Sequence, residues 1–268
     1  MENIECIFSI TVHEELDAIK DLVSNIICLC KMNKKIIFHC SDNIYEPCRK
    51  EFEGKNEVIV NPSYWSRDKK PIALISAHID NFDLAKKNYK FDYFIWLASN
   101  CLFVKAFTLE NIKNKEMDKI ITSSKEQTYN GWHYPTFFSR DKNLMDILKD
   151  KNVEIIAGQH EGAVVSYFQM QKISEFIYEN KFHEIGTPGP YSCLEEVVFP
   201  SLERHFSEDK ILYRINKAFW ECRQCTPNIA QIENCLNNNQ GIYTVKRVTR
   251  KYNDPVRYFY RQKYGYTS

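Results

Sequence analysis

A chain of 268 residues, 44% hydrophobic and 26% charged, is long enough to bury a large core and too apolar to be disordered. It has no run of about 18 apolar residues, so no transmembrane helix is expected, and the acidic start MENIECIFSITVHEE reads as a first strand, not a signal peptide. The net charge is only +1, but seven basic residues and one acid lie between Lys246 and Lys263, which gives that segment +6 and the remainder −5.

In chain order, IECIFSITV (4–12) is a β-branched, aromatic run that predicts a buried strand. Leu16, Ile19, Leu22, Val23, Ile26 and Ile27 then share one helical face. KKIIFHC (34–40) and EVIV (57–60) predict the next strands. Ile72, Ile75, Ile79 and Phe82 recur at helical steps, and FDYFIWLAS (91–99) predicts a fourth strand. VEIIAGQH (153–160) and AVVSYFQM (163–170) read as strands, the second running into a helix near Gln171–Tyr178. GTPGPYS (186–192) is a turn before the helical pattern LEEVVFPSLERHF, and IYTVKRVTR (242–250) reads as a last strand. This alternation implies one α/β domain with a central, mostly parallel sheet, mixed in its later part and flanked by helices. Ligands collect at the carboxyl ends of such strands, here Val12–His13, Ser41–Asp42, Asn61–Arg67 and Ser99–Cys101.

Ten cysteines without a secretory leader are expected to be reduced thiols of a cytoplasmic protein. Cys28, Cys30, Cys40 and Cys101 stand in apolar stretches as small core residues. Cys222 and Cys225 form one C-x-x-C without a second pair at zinc-ribbon spacing, so no structural metal is expected. Aromatic residues reach 14%, and such rings stack on sugars and bases as readily as they fill a core.

Five segments together resemble a known family. They are FSITVHEELDAIKDLVSNI with KKIIFHCSD, NPSYWSRDKKPIALISAHIDNF, FDYFIWLASNCLFVK, EGAVVSYFQMQKISEFI with PYSCLEEVVFPSL, and IYTVKRV. Their order resembles the core-2/I-branching β-1,6-N-acetylglucosaminyltransferases and their bacterial relatives. The resemblance implies a GT-A-like single domain over 1–268. Its parts would be nucleotide-binding (1–105), acceptor-binding and catalytic (106–241), and a basic C-terminal segment (242–268). It further implies inverting transfer with neither a divalent cation nor another cofactor. The chain departs from the family at ASNCLFVK, where Cys101 and Phe103 replace a usual Asp and Pro, so donor or acceptor preference is expected to differ.

An inverting transfer needs a carboxylate to take the acceptor proton while the nucleotide leaves from the opposite face. Ser192 and Glu195 have capping-box spacing, which gives Glu195 a structural task. Glu196, about 100° round the helix, matches the family's catalytic Glu. Glu195 as base, or two solvated helix-start carboxylates, are the alternatives. Where metal-dependent GT-A enzymes carry Asp-x-Asp, this chain reads Ala98-Ser99-Asn100-Cys101. A fixed cation can replace the metal's electrostatic role. Lys246 matches the family's diphosphate-binding lysine, with Arg247 or Arg250 as a second contact and Arg223 a weaker one. Strand alternation would put Lys246 and Arg247 on opposite faces; lysines of a solvated edge strand are the plainer reading.

Val12 and His13 match the family's nucleotide-binding pair, and Asp42, or Ser41, stands where a uracil or ribose contact would fall. Arg67, in Trp65-Ser66-Arg67, is a further nucleotide contact. Trp132, His133 and Tyr134 form an aromatic loop suited to an acceptor sugar, and Glu161 beside Gly162 suits an acceptor hydroxyl.

The expected partners are a nucleotide-sugar donor, UDP-linked in this reading, and a glycan or lipid-linked glycan acceptor in a bacterial surface polysaccharide, lipooligosaccharide or capsule. The Lys-, Asn- and Ile-rich composition fits a low-GC bacterium. Arg257, Tyr258, Phe259, Tyr260, Arg261, Lys263, Tyr264 and Tyr266 suggest peripheral contact with an anionic inner leaflet. A noncatalytic glycan-binding relative is the main alternative, and it would not require Glu196 together with Lys246. A nucleic-acid binder using the basic, aromatic C-terminus is a second; the −5 charge elsewhere and the lack of any nucleic-acid motif oppose it.

Overall fold

The β-branched run at the start forms β1 (Glu2–Val12), followed by α1 (Leu16–Leu29), β2 (Lys34–Cys40), α2 (Asp42–Phe52), β3 (Val58–Val60), α3 (Ala73–Asn88) and β4 (Tyr89–Ala98). The computed structural model describes residues 2–13, 15–64, 73–120, 142–182, 194–219 and 226–267. β1 to β4 are parallel in the order β3-β2-β1-β4, and β7 (Val164–Ser166) adds an antiparallel edge beside β4. The architecture is therefore mixed α/β with a central, mostly parallel sheet flanked by helices.

Both faces of that sheet are covered, which is why its strands read as continuous apolar runs. Phe8, Ile10 and Val12 pack with Ile19, Leu22 and Ile26 of α1 and with Ile44 and Phe52 of α2. Ile7 points the other way, into a cluster with Ile75, Ile79 and Phe82 of α3. Each buried Phe contributes roughly 1.5–3 kcal/mol of burial free energy. A buried polar network holds α3 on its face: Asn81 Nδ2 donates to Ser9 Oγ (2.9 Å) and Ile37 O (3.1 Å), and Asn61 Nδ2 donates to Asn81 Oδ1 (2.9 Å).

A two-residue turn, Ser99–Asn100, carries the chain from β4 into β5 (Cys101–Phe103). β5 belongs to a small sheet of order β5-β10-β9, with β9 (Asn216–Ala218) and β10 (Thr244–Lys246). β10 thus lies between β5 and β9, strands more than 100 residues apart in sequence. A separate ladder pairs β6 (Asp118–Ile120) with β8 (Leu212–Arg214). The remaining helices are α4 (Leu109–Lys113), α5 (Lys142–Asp150), α6 (Tyr167–Glu179), α7 (Glu195–Phe206), α8 (Ile229–Asn238) and α9 (Pro255–Tyr264).

The later segments depart from expectation. Residues 153–160 are not a strand: the backbone groups of Ile156 and the amide of Gly158 are taken up by α7 rather than by a ladder. Ser201 Oγ accepts from Ile156 N (2.9 Å) and donates to Ile156 O (3.1 Å). Pro200 cannot donate to the Glu196 carbonyl, and Gly158 N occupies that carbonyl at 2.8 Å instead. The strand expected over 163–170 is confined to Val164–Ser166, because Ser166 caps α6 by accepting from Gln169 N. The strand expected over 242–250 is confined to Thr244–Lys246; Arg247, at φ 77°, leaves the pleat, so alternation does not relate Lys246 to Arg247.

The basic C-terminus is helical where no helix was expected, and much of its charge turns inward. Asp21 of α1 receives Arg257 Nη1 and Arg261 Nη1, each at 2.8 Å, and Asp21 and Arg257 are fully buried. Asp254 accepts from Val256 N and Arg257 N and caps α9. Two of the basic residues expected at an anionic surface are thus spent inside the protein. Among the described residues no helix is long and apolar enough to cross a membrane.

Candidate active site

The carboxyl ends of the parallel strands meet where the strand order reverses, between β1 and β4, which is where open α/β sheets form a crevice. Thr11 pairs Ala98, so Val12 and His13 run out beside Ser99 and Asn100. Val12 is buried and His13 exposed. Ser41 N donates to Val12 O at 2.8 Å, which sets exposed Asp42 at the start of α2 near the end of β1. Ser99 Oγ and Asn100 Oδ1 are buried in the adjoining turn without a hydrogen-bond partner.

Lys246 enters from β10. The register sets it opposite Cys101. Lys246 Nζ forms an ion pair with Glu161 Oε1 at 2.5 Å, with the two side chains 15% and 9% exposed. Glu161 is delivered by the pinned segment 153–161 and by Gly162, at φ +81°. Gly162 N donates to Trp96 O (2.7 Å) and Gly162 O accepts from Ile215 N (2.8 Å). Any Cβ there would lie 2.2 Å from Asn216 Cβ, so only glycine fits.

Glu195 and Glu196 complete the cluster from the start of α7, 4% and 6% exposed. They are not a solvated pair. Glu195 is the first residue of its helix and the N-cap is Leu194; Ser192, its expected capping-box partner, lies outside the described residues. Burial, with Glu196 and Glu161 adding, pushes the Glu195 carboxyl up to about 8. Burial also acts against ionisation of Glu161, but His160 and Lys246 more than offset it and hold that carboxyl down to about 2. Burial would lower Lys246, and Glu161 outweighs it and raises the lysine. At neutral pH the cluster therefore contains a protonated and an ionised carboxyl beside an ammonium. Environments that drive neighbouring carboxyls apart define acid and base roles.

Two histidines behind the cluster went unread in the sequence. Burial pushes His160 down to about 4, and its ring lies 5.6 Å from that of His78. His78 Nδ1 is 2.7 Å from Ser9 Oγ. Their only signal in sequence was polarity inside apolar patterns.

The structure thus brings Glu161, Glu195, Glu196 and Lys246 together and sets Val12, His13 and Asp42 along the neighbouring strand ends. Arg247 is half-buried and Arg250 exposed, both beyond β10. Arg67, Trp132, His133 and Tyr134, with Trp65, Ser66, Cys222, Arg223 and Cys225, lie outside the described residues. Among the described residues no group of three or more His, Cys, Asp or Glu side chains is arranged to hold a metal ion.

No protein-family model matches this sequence, and no curated protein does. The structure is similar to the apo form of the glycosyltransferase GlyE of Streptococcus pneumoniae TIGR4, at 12% sequence identity and a TM-score of 0.26. The likeness covers 81% of this chain and 66% of that one, so the chain spans just under two thirds of its length. A score that low carries no argument about fold or activity.

Proposed function

We propose that the chain is an inverting glycosyltransferase of the core-2/I-branching type. It would move a sugar from a nucleotide sugar, UDP-linked, to a hydroxyl of a glycan or lipid-linked glycan in surface polysaccharide, lipooligosaccharide or capsule synthesis. The observation that carries this reading is one buried cluster, at the carboxyl edge of a parallel sheet, that joins a helix-start carboxylate pair to a fixed cation. Glu196 takes the acceptor proton. The proton retained on Glu195 removes one negative charge from the helix start beside Glu196. Lys246, opposite Cys101 where a metal-binding carboxylate would stand, offsets charge on the departing diphosphate. Val12, His13 and Asp42 line the nucleotide side, with Arg67, Arg247 and Arg250 as further contacts; Trp132, His133, Tyr134 and Glu161 serve the acceptor.

Thermal unfolding with UDP and UDP-sugars, in EDTA and in magnesium or manganese, tests this. A ligand at about 100 times its dissociation constant adds roughly 2.7 kcal/mol to stability. The expected outcome is a shift with UDP that persists in EDTA. Glu196→Gln should keep that shift and lose turnover by about 100-fold or more. A shift only with metal removes Lys246 from its assigned role; no shift with any nucleotide favours the noncatalytic glycan-binding relative.

A further inference from the structure

Two buried polar atoms face each other beside the candidate site without a hydrogen bond. Glu161 Oε1 receives Lys246 Nζ, but Glu161 Oε2 has no hydrogen-bond partner. His160 Nδ1 stands 3.7 Å from that oxygen and is equally unpartnered. Both side chains are more than nine-tenths buried, which makes two unsatisfied polar atoms costly and calls for an explanation.

The charges around His160 supply one. Burial, then Lys246 from β10 and Arg214 from β8, hold the ring neutral against the pull of Glu161. Arg214 is itself fixed, donating from Nε to Gln159 O at 2.8 Å and pairing bidentately with Glu203. From α3, His78 adds a neutral ring. From α7, Glu195 interacts with Glu161 and Lys246, and Glu196 with Lys246. While Lys246 neutralises Glu161, a second cation at His160 has nothing to gain. Once Lys246 leaves, Glu161 is a buried carboxylate without a counter-ion, a state that is strongly disfavoured. The nearest group able to become a cation is the imidazole whose Nδ1 already faces the free oxygen.

We propose that Lys246 and His160 hold Glu161 by turns: when Lys246 moves to an anionic ligand, His160 takes a proton from solvent and replaces it as the counter-ion. The idea rests on the diphosphate role of Lys246 and deepens it, because ligand binding then consumes a proton. Affinity for the anion rises as pH falls, by up to about tenfold per pH unit where uptake is complete. His160 is a positioning residue in this scheme and touches neither substrate.

Two measurements test the exchange. Imidazole NMR titration of the wild type and of Lys246→Met follows His160 directly; removal of the lysine should raise its proton affinity by roughly tenfold or more. Calorimetry of the wild type with UDP, and separately with inorganic pyrophosphate, in buffers of different ionisation heat reads proton uptake. Uptake is expected with both anions and should vanish in His160→Gln, which still binds them. An unchanged His160 titration in folded Lys246→Met, or anion binding without uptake, overturns the exchange and leaves the function reading intact. Should Lys246→Met not fold, calorimetry decides alone. Absence of binding by either anion removes the diphosphate role of Lys246, and the exchange with it.

Discussion

Glu195 is not one of a solvated helix-start pair: it is a buried acid held protonated into the neutral range. The sign of the linkage follows from the shift. The native state binds this proton more tightly than the unfolded chain, so the residue's contribution to stability is greatest below the ordinary carboxylate range and declines as pH rises towards 8. Shifted groups that do not interact with Glu195 are common to wild type and variant and cancel in the difference. Urea unfolding of wild type and Glu195→Gln should therefore diverge in the variant's favour by up to about 1.4 kcal/mol per pH unit between about pH 5 and pH 8. A pH-independent difference would show that Glu195 is ionised in the native protein. Glu161 and Lys246 were both legible as candidates from sequence; their pairing was not, since 85 residues separate them.

At the level of elements, α9 accounts for the charge asymmetry that the sequence displayed without explanation. Arg257 and Arg261 converge on Asp21, and Arg257 Nε also donates to Thr249 O at 2.8 Å. Lys263 Nζ and Tyr260 OH both reach Glu233 Oε1 of α8, each at 3.0 Å. The helix is thereby fastened to α1 by buried charge and to α8 by a more exposed ion pair, while Tyr258 stays exposed. Replacing Asp21 by Ala leaves two guanidinium groups buried without a carboxylate, and a loss of about 3–5 kcal/mol is expected in chemical denaturation. A loss below about 1 kcal/mol would mean that the arginines find solvent instead. The segment 153–161 illustrates the opposite kind of surprise. It was read as a strand and is not one, because Pro200 and Ser201 on α7 give its backbone partners that no local pattern reveals.

Across the whole molecule, Gly162 is the point where the large sheet and the β8–β9 region are joined. Its backbone bridges Trp96 and Ile215, and a Cβ would lie 2.8 Å from Asn216 N as well as against Asn216 Cβ. Gly162→Ala combines a left-handed backbone with a clash, for an expected cost of about 3 kcal/mol in thermal or denaturant unfolding. Gly54 provides the control: its φ is +76° but its surroundings are open, so Gly54→Ala should cost only about 1 kcal/mol. Equal effects at the two glycines would mean that Asn216 moves aside and that the junction is softer than its geometry suggests.

The first four parallel strands and two of their three connecting helices were legible in the sequence alone, because burial on both faces forces continuous β-branched runs and helical periodicity is local. The same locality marked Val12, His13 and Asp42 as candidates at strand ends, whereas Glu196 and Lys246 became candidates through the family resemblance. Strands β5, β8 and β9 are three residues each and carry no periodicity to read. Only tertiary structure decided that Lys246 faces Cys101, that Glu161 meets Lys246, that both helix-start glutamates are buried, and that Arg257 and Arg261 turn inward to Asp21. Each of these is a contact across the chain, and its energy depends on desolvation and on charges that neighbours in sequence do not supply.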